Sequence, residues 1–192
     1  MRESWRLRES QWWRRKRPSV GAVSPAAVVV LAALGCLAGC APTPTPSPTP
    51  TAAFASEEEA YAAAEEVYRA YNDAGNARRA GESDADPQRY LAGLALEGDI
   101  DTQNLLSSSE LHASGAASVE SFAGESLRLD GTFATIIGVV CLDASGVALL
   151  DSSGNDVTPP ERGDIISQRV TFGGADGSLL ILDEAVSGGS TC

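Results

Sequence analysis

The chain has 192 residues and carries 14 Lys/Arg against 26 Asp/Glu, which gives a formal net charge of −12 at pH 7. The charge is divided: residues 1–40 hold seven basic and two acidic residues (+5), and residues 41–192 hold seven arginines and 24 acidic residues (−17). An acidic second part of this kind is repelled by nucleic acid and by anionic lipid head groups, which argues against nucleic-acid binding. The acidic excess favours solubility, with cation binding as the alternative.

Residues 1–39 have the composition of a signal peptide. A basic segment at 1–19 precedes an apolar run at 20–38, and positive charge before such a run keeps the N-terminus on the cytoplasmic side. Gly and Pro within the run favour cleavage over the alternative, an uncleaved membrane anchor. The arginine pair at 14–15 is followed by further charge rather than apolar residues, so general secretion is favoured over the twin-arginine route.

The apolar run ends in LAGC at 37–40, which resembles a bacterial lipobox. The resemblance implies cleavage between Gly39 and Cys40 and acylation of Cys40. Cys36 is the weaker candidate, because the leucine before it is in the wrong position. We therefore expect a lipid-anchored protein, with palmitate-type chains, at the extracytoplasmic face of the cell membrane.

A linker rich in Thr and Pro is predicted to follow the lipidated cysteine, so that the two together span residues 40–55. The alternation of proline with Thr or Ser in APTPTPSPTPT at 41–51 favours polyproline II and prevents helix and sheet ladders. At about 3.1 Å per residue, this segment reaches roughly 30 Å and spaces the following domain from the bilayer. Its Thr and Ser residues are also candidate sites for O-linked sugar, the alternative to a plain spacer.

Residues 56–192 have the length of one domain with its own core. Ser56 and Glu59 form a capping box that begins a helix, and Gly75 is predicted to lie just beyond its end. Three tyrosines share one face of this helix at helical spacing: Tyr61, Tyr68 and Tyr71. They are predicted to pack on a sheet, and the lining of a pocket is their alternative role.

Two shorter helices are predicted at 87–97 and 99–113, separated by Gly98. After Gly115 the pattern changes to alternating and β-branched residues, which are typical of strands. The predicted strands are 116–122, 125–129, 132–142, 147–150, 165–172 and 178–184. The longest and most apolar, 132–142, is predicted to be central, and short loops predict an antiparallel meander. Helices followed by strands predict an α+β fold, with the N-terminal helices on one face of the sheet.

Cys141 and Cys192 remain as a pair once the signal region is removed. Two cysteines in an exported domain normally form a disulfide, and two free thiols are the alternative. We recognise no catalytic, cofactor-binding or metal-binding motif. The chain has one histidine, His112, and the acidic segment at 151–162 lacks the ligand spacing of a calcium loop.

A capped helix, two further helices and a curved antiparallel sheet resemble the nuclear transport factor 2-like, or cystatin-like, cone. More narrowly, VVCLD at 139–143, LDSSG at 150–154, PER at 160–162 and the terminal Cys192 are similar to actinobacterial envelope lipoproteins with that domain. The resemblance implies that Cys141 pairs with Cys192. It does not imply one activity, because this fold is shared by enzymes, binding domains and dimerisation domains.

We therefore expect a tethered envelope lipoprotein that binds a small ligand or an envelope protein and needs no cofactor. One alternative is an isomerase-like or dehydratase-like enzyme, in which Tyr61, Tyr68 or Tyr71 supplies a phenol and Asp143 or Asp183 a carboxylate. A structural module that forms homodimers is the other alternative.

Overall fold

The computed structural model describes residues 52–187 and Cys192. The predicted signal peptide, the lipidation site at Cys40 and the linker as far as Thr51 lie outside the described residues. Among the residues described, no helix combines the length and the apolar character that crossing a membrane requires.

The first helix, α1 (Glu57–Arg79), begins at the predicted capping box. The Ser56 Oγ accepts a hydrogen bond of 3.2 Å from the Glu59 amide, and the Glu59 Oε2 accepts one of 2.8 Å from the Ala55 amide. The predicted end before Gly75 is wrong, since the helix continues to Arg79. Gly75 is buried inside the helix, where a Cβ added to it would lie 3.5 Å from Arg79 Nη1.

The second helical region is divided differently from the prediction. Pro87–Tyr90 forms one turn of 3-10 helix, and α2 then runs without a break over Gly93–Ser108. Gly98 therefore lies inside a helix, at a cost of about 1 kcal/mol relative to Ala, rather than between two helices. The predicted last turn of helix at 112–113 belongs to a strand.

Within the described residues, six strands form two antiparallel sheets. The larger has the order β2-β3-β5-β6, and a ribbon pairs β1 with β4. Their bounds are β1 His112–Gly115, β2 Ser118–Asp130, β3 Phe133–Asp143, β4 Val147–Leu150, β5 Ile165–Ala175 and β6 Leu180–Val186. The α+β class and the interior position of the apolar strand β3 are confirmed. The strands predicted at 116–122 and 125–129 form the single strand β2, and β4 leaves the predicted meander to pair with β1.

The hydrophobic core lies between α1 and one face of the four-stranded sheet. Its fully buried members include Ile136 and Val140 on β3 and Phe172 on β5. From α1, the side chain of Tyr68 is 2% exposed and meets the Phe172 ring edge to face, with 6.5 Å between ring centroids. This packing aligns the second half of α1 with the end of the sheet formed by β5 and β6.

The cysteine pair lies on the other face of β3. Because side chains alternate along a strand, Cys141 points away from the core that contains Val140. The sulfur atoms of Cys141 and Cys192 are 2.09 Å apart, a distance compatible with the predicted disulfide. Such a bond joins the last residue of the chain to an interior strand.

Replacing both cysteines by serine is expected to lower the free energy of unfolding by roughly 2–4 kcal/mol, because the bond restricts the unfolded chain over a long loop. The loop is long because the two residues are 51 apart in sequence. Urea unfolding followed by circular dichroism measures the loss. Reductant should destabilise the wild type and leave the Cys141→Ser/Cys192→Ser variant unchanged. Two alkylatable thiols in the unreduced protein would contradict the bond.

Candidate functional site

A large cavity of about 760 Å³ lies between α1, α2, β1 and the ends of β5 and β6. Its apolar wall consists of residues from three places: Leu94, Ala95 and Leu106 on α2, Leu111 just before β1, and Val186 at the end of β6. A small cavity of about 320 Å³ adjoins it and lies between α1 and β4. The two cavities share one polar wall, composed of Tyr71, Arg78, Arg79, Gln168 and Glu184. The site thus combines an apolar chamber with a cluster of ionisable groups.

Two phenols of α1 lie beside Glu184. The Tyr68 hydroxyl donates a hydrogen bond of 2.8 Å to Glu184 Oε1, and the nearby Tyr71 phenol helps to oppose the rise in the pKa of this carboxyl group. Tyr68 and Tyr71 are three residues apart, so they lie on one face of α1. Their rings meet edge to face, with 5.7 Å between centroids. The helix therefore brings two phenols to the same carboxyl group on β6.

A β-bulge in β6 turns Glu184 towards the cavity. Phe172 pairs with Ile181, but the next paired residue on β5, Thr171, faces Asp183, so β6 contains one extra residue. Beyond the bulge, Glu184 pairs with the buried Val170 and lies on the same face of the sheet. A bulge shifts the alternation of side chains by one position. The acidic side chain consequently enters the site, and Asp183 is exposed on the other face.

The half-buried position of Glu184 changes the acidity of this cluster. Burial raises the pKa of the Glu184 carboxyl group; hydrogen bonds from Tyr68 and Tyr71 oppose this, and repulsion from Asp99 and Asp183 adds to it. Burial also raises the pKa of both tyrosines. The phenols therefore stay protonated and act as donors, and ionisation of Glu184 has a free-energy cost.

A second polar cluster connects α1 to α2. Arg78 makes two hydrogen bonds to Asp99, of 2.6 and 3.0 Å, and Gln88 donates another of 2.9 Å to the same carboxylate. Burial alone would raise the pKa of Asp99, but the bonds from Arg78 and Gln88 bring it below its usual value. Arg78 is thus a compensated cation in the cavity wall.

Two further arginines line the small cavity and bond to neutral groups. Arg79 donates 3.2 Å to the Gly115 carbonyl and also bonds to the Asn76 side-chain oxygen. Arg162 donates 2.6 Å to the Val147 carbonyl and 2.8 Å to the Ala144 carbonyl. Within residues 52–187 and Cys192, neither guanidinium has a carboxylate at ion-pair distance. Burial and the charge of Arg78 lower the pKa of Arg79.

Of the tyrosines and aspartates predicted from the sequence as site residues, only some line the cavities. Tyr71 lines both cavities and Tyr68 the small one, whereas Tyr61 lines neither. The Tyr61 ring instead covers Gly124 of β2, where an added Cβ would come within 2.4 Å of it. Asp143 accepts 2.8 Å from the Ser145 amide in a turn, so neither predicted aspartate supplies the cavity carboxylate. The carboxyl group beside the phenols is that of Glu184, which the sequence pattern does not predict.

His112 lies at the edge of the large cavity, at the start of β1, and its side chain is exposed. In the part of the chain that the structure describes, no three His, Cys, Asp or Glu side chains are grouped so that they could hold a metal ion.

Glu184→Gln is expected to raise the melting temperature at neutral pH. Since the folded protein has the higher pKa at this carboxyl group, the contribution of Glu184 to stability is greatest below the unfolded pKa, about 4.5, and is lost as pH rises through the folded pKa. Glutamine stays neutral at every pH. The Glu184→Gln protein should therefore melt at a higher temperature than the wild type above the folded pKa of Glu184, and this difference should vanish at lower pH. Thermal melts followed by circular dichroism between about pH 4 and pH 8 measure the difference.

Asp183→Asn is the matched control, because it removes one acidic charge at the neighbouring, exposed position. It should produce a smaller change with pH. Equal pH profiles for the two variants would contradict the assignment of the ionisation cost to Glu184.

No family model matches the chain, and no curated protein matches it. Among solved structures, the chain is similar to the crystal structure of the intermembrane space region of the chloroplast protein ARC6. The TM-score is 0.45 and the sequence identity 14%, over 66% of this chain and 95% of that one. A similarity at this level carries no argument about activity.

Proposed function

We propose that the chain is a lipoprotein anchored to the outer face of the cell membrane, and that its domain binds a small organic ligand. The observation that carries the ligand-binding part is the large cavity of about 760 Å³. Small-molecule sites commonly measure about 300–1,000 Å³ and combine apolar walls with a few polar groups. Leu94, Leu106 and Val186 form the apolar wall of this cavity, and Tyr71 and Glu184 supply polar groups.

The proposed anchor rests on the sequence: a basic segment, an apolar run, the lipobox-like LAGC at 37–40 and a proline-rich spacer. The nuclear transport factor 2-like fold is proposed with it. Its support is the long helix α1, packed on one face of an antiparallel sheet so that a cavity lies beside it.

Cys40→Ala is expected to release the protein from the membrane or leave it unprocessed, because the acylated thiol is then missing. Fractionation of cells, with detection of the chain in membrane and soluble fractions, measures the change. Cys36→Ala is the matched control and should leave the distribution unchanged. Full membrane retention of the processed Cys40→Ala protein would contradict the lipid anchor.

Photolabelling with benzophenone-4-carboxamide tests the cavity in the full chain, held in lipid nanodiscs. The uncharged probe is expected to label peptides of α2 and β6, as read by mass spectrometry. Gly98→Leu should reduce this labelling. Gly98 lines the large cavity, and an added Cβ there meets no heavy atom within 4 Å. The leucine therefore fills space rather than displacing neighbours.

Gly98→Ala is the control for the helix itself. It should raise the stability by about 1 kcal/mol, because Gly is a poor helix former, and it should leave the labelling intact. Absence of cavity labelling in the wild type, or equal labelling in Gly98→Leu, would count against the cavity as a ligand site.

A second candidate function, an isomerase-like or dehydratase-like enzyme, is favoured by one observation. Tyr68, Tyr71 and Glu184 converge at the cavity wall, and the pKa of the carboxyl group is raised by burial. A carboxyl group with a raised pKa beside phenol donors is a suitable base for proton transfer in an apolar site. Conversion of a bound compound by the wild type but not by Glu184→Gln would decide for the enzyme.

A further inference from the structure

The small cavity has an excess of positive charge. Three arginines line it, Arg78, Arg79 and Arg162, together with one acidic residue, Glu184. Arg78 is paired with Asp99, whereas the other two bond only to backbone carbonyls and an amide oxygen among the residues described. This contrasts with the acidic excess of the domain as a whole.

Neutral partners do not fully compensate a partly buried cation. Removing a guanidinium from water is costly unless a counter-charge is close, and carbonyl oxygens supply only part of that compensation. Asp156 feels the charge of Arg162, since the guanidinium helps to lower the pKa of this carboxyl group. It is not within ion-pair distance in the described chain. The domain thus keeps two cations beside a cavity although it has many exposed acids.

We propose that the ligand is an apolar organic anion, whose head group lies in the small cavity near Arg79 and Arg162 and whose apolar body fills the large cavity. This inference rests on the proposed ligand-binding function and specifies its ligand class. Arg guanidinium groups suit this role because their planar donors match carboxylate oxygens. The apolar body then contacts the wall that includes Leu94, Leu106 and Val186.

The structural roles of the two arginines do not explain their charge. Arg79 ties α1 to the end of β1, and Arg162 ties the segment after β4 back to the turn before it. A neutral donor would serve for such bonds at a smaller desolvation cost. A ligand-binding role for these arginines predicts that the site prefers an anionic ligand to a neutral one of the same shape. A purely structural role predicts no such preference.

The test compares benzophenone-4-carboxylate with benzophenone-4-carboxamide, which differ in charge but hardly in shape. In the full chain in nanodiscs, the carboxylate should reach half-maximal labelling of the α2 and β6 peptides at a concentration about tenfold lower than the carboxamide. Arg79→Met should reduce this preference, and Arg79→Met/Arg162→Met should remove it while labelling by the carboxamide persists. Arg79→Lys, which keeps a positive charge, should restore part of the preference.

Arg128→Met is the matched control, because Arg128 is an exposed arginine on β2 that lines neither cavity. It should keep the full preference for the carboxylate. If the double arginine variant does not fold, the wild-type comparison and Arg79→Met still decide the question. Equal labelling by both probes would overturn the anion specificity and leave the cavity as a ligand site. Labelling by neither probe would instead overturn the proposed function.

Discussion

The site depends on one side chain that belongs to both the core and the cavity. The Tyr68 ring is buried against Phe172 on β5, and its hydroxyl bonds to Glu184 on β6. A phenol suits this place because its ring contributes apolar area and its hydroxyl finds a partner at the edge of the core. The position of α1 across the sheet is thereby fixed at the point where the cavity begins. The contact also explains why Glu184 tolerates burial, since removing water from a carboxylate requires donors in exchange.

The opposite side of the cavity is held by polar bonds rather than by a second core. Ala95 is the one buried residue of α2 among those described. The helix is fastened by the Ala92 amide, which donates 2.8 Å to the Ile181 carbonyl, and by the pair Arg78–Asp99. Arg78 and Asp99 both line the large cavity. Tyr68 and Arg78 thus hold α1 to β6 on one side and to α2 on the other, which keeps the space between them open.

The sequence predicted the elements that have a clear local pattern. It did not predict the effect of the β-bulge in β6, which adds one residue to the strand. The apolar run of β3 and the capping box at Ser56 are strong local signals, and the structure has both where they were expected. The cysteine pair came from the exported character of the chain, not from any knowledge of the sheet. Glu184 was missed because simple alternation from Ile181 selects Asp183, and only the bulge reverses it. The local pattern predicts that a helix ends at Gly98, because glycine is a poor helix former. Helix α2 continues through this residue because tertiary contacts, which the local pattern does not contain, stabilise it.

The acidic surface and the cationic cavity are compatible because they act over different distances. At physiological ionic strength the Debye length is about 8 Å, so exposed carboxylates are largely screened from an approaching anion beyond that range. Partly buried charges such as those of Arg79 and Arg162 are screened less, and their field is stronger at close range. The negative charge of the exposed residues and the positive charge at the small cavity therefore need not cancel each other. Under the proposed function, an acidic domain anchored above a membrane would select an anion in its cavity while its surface was repelled by anionic lipid and nucleic acid.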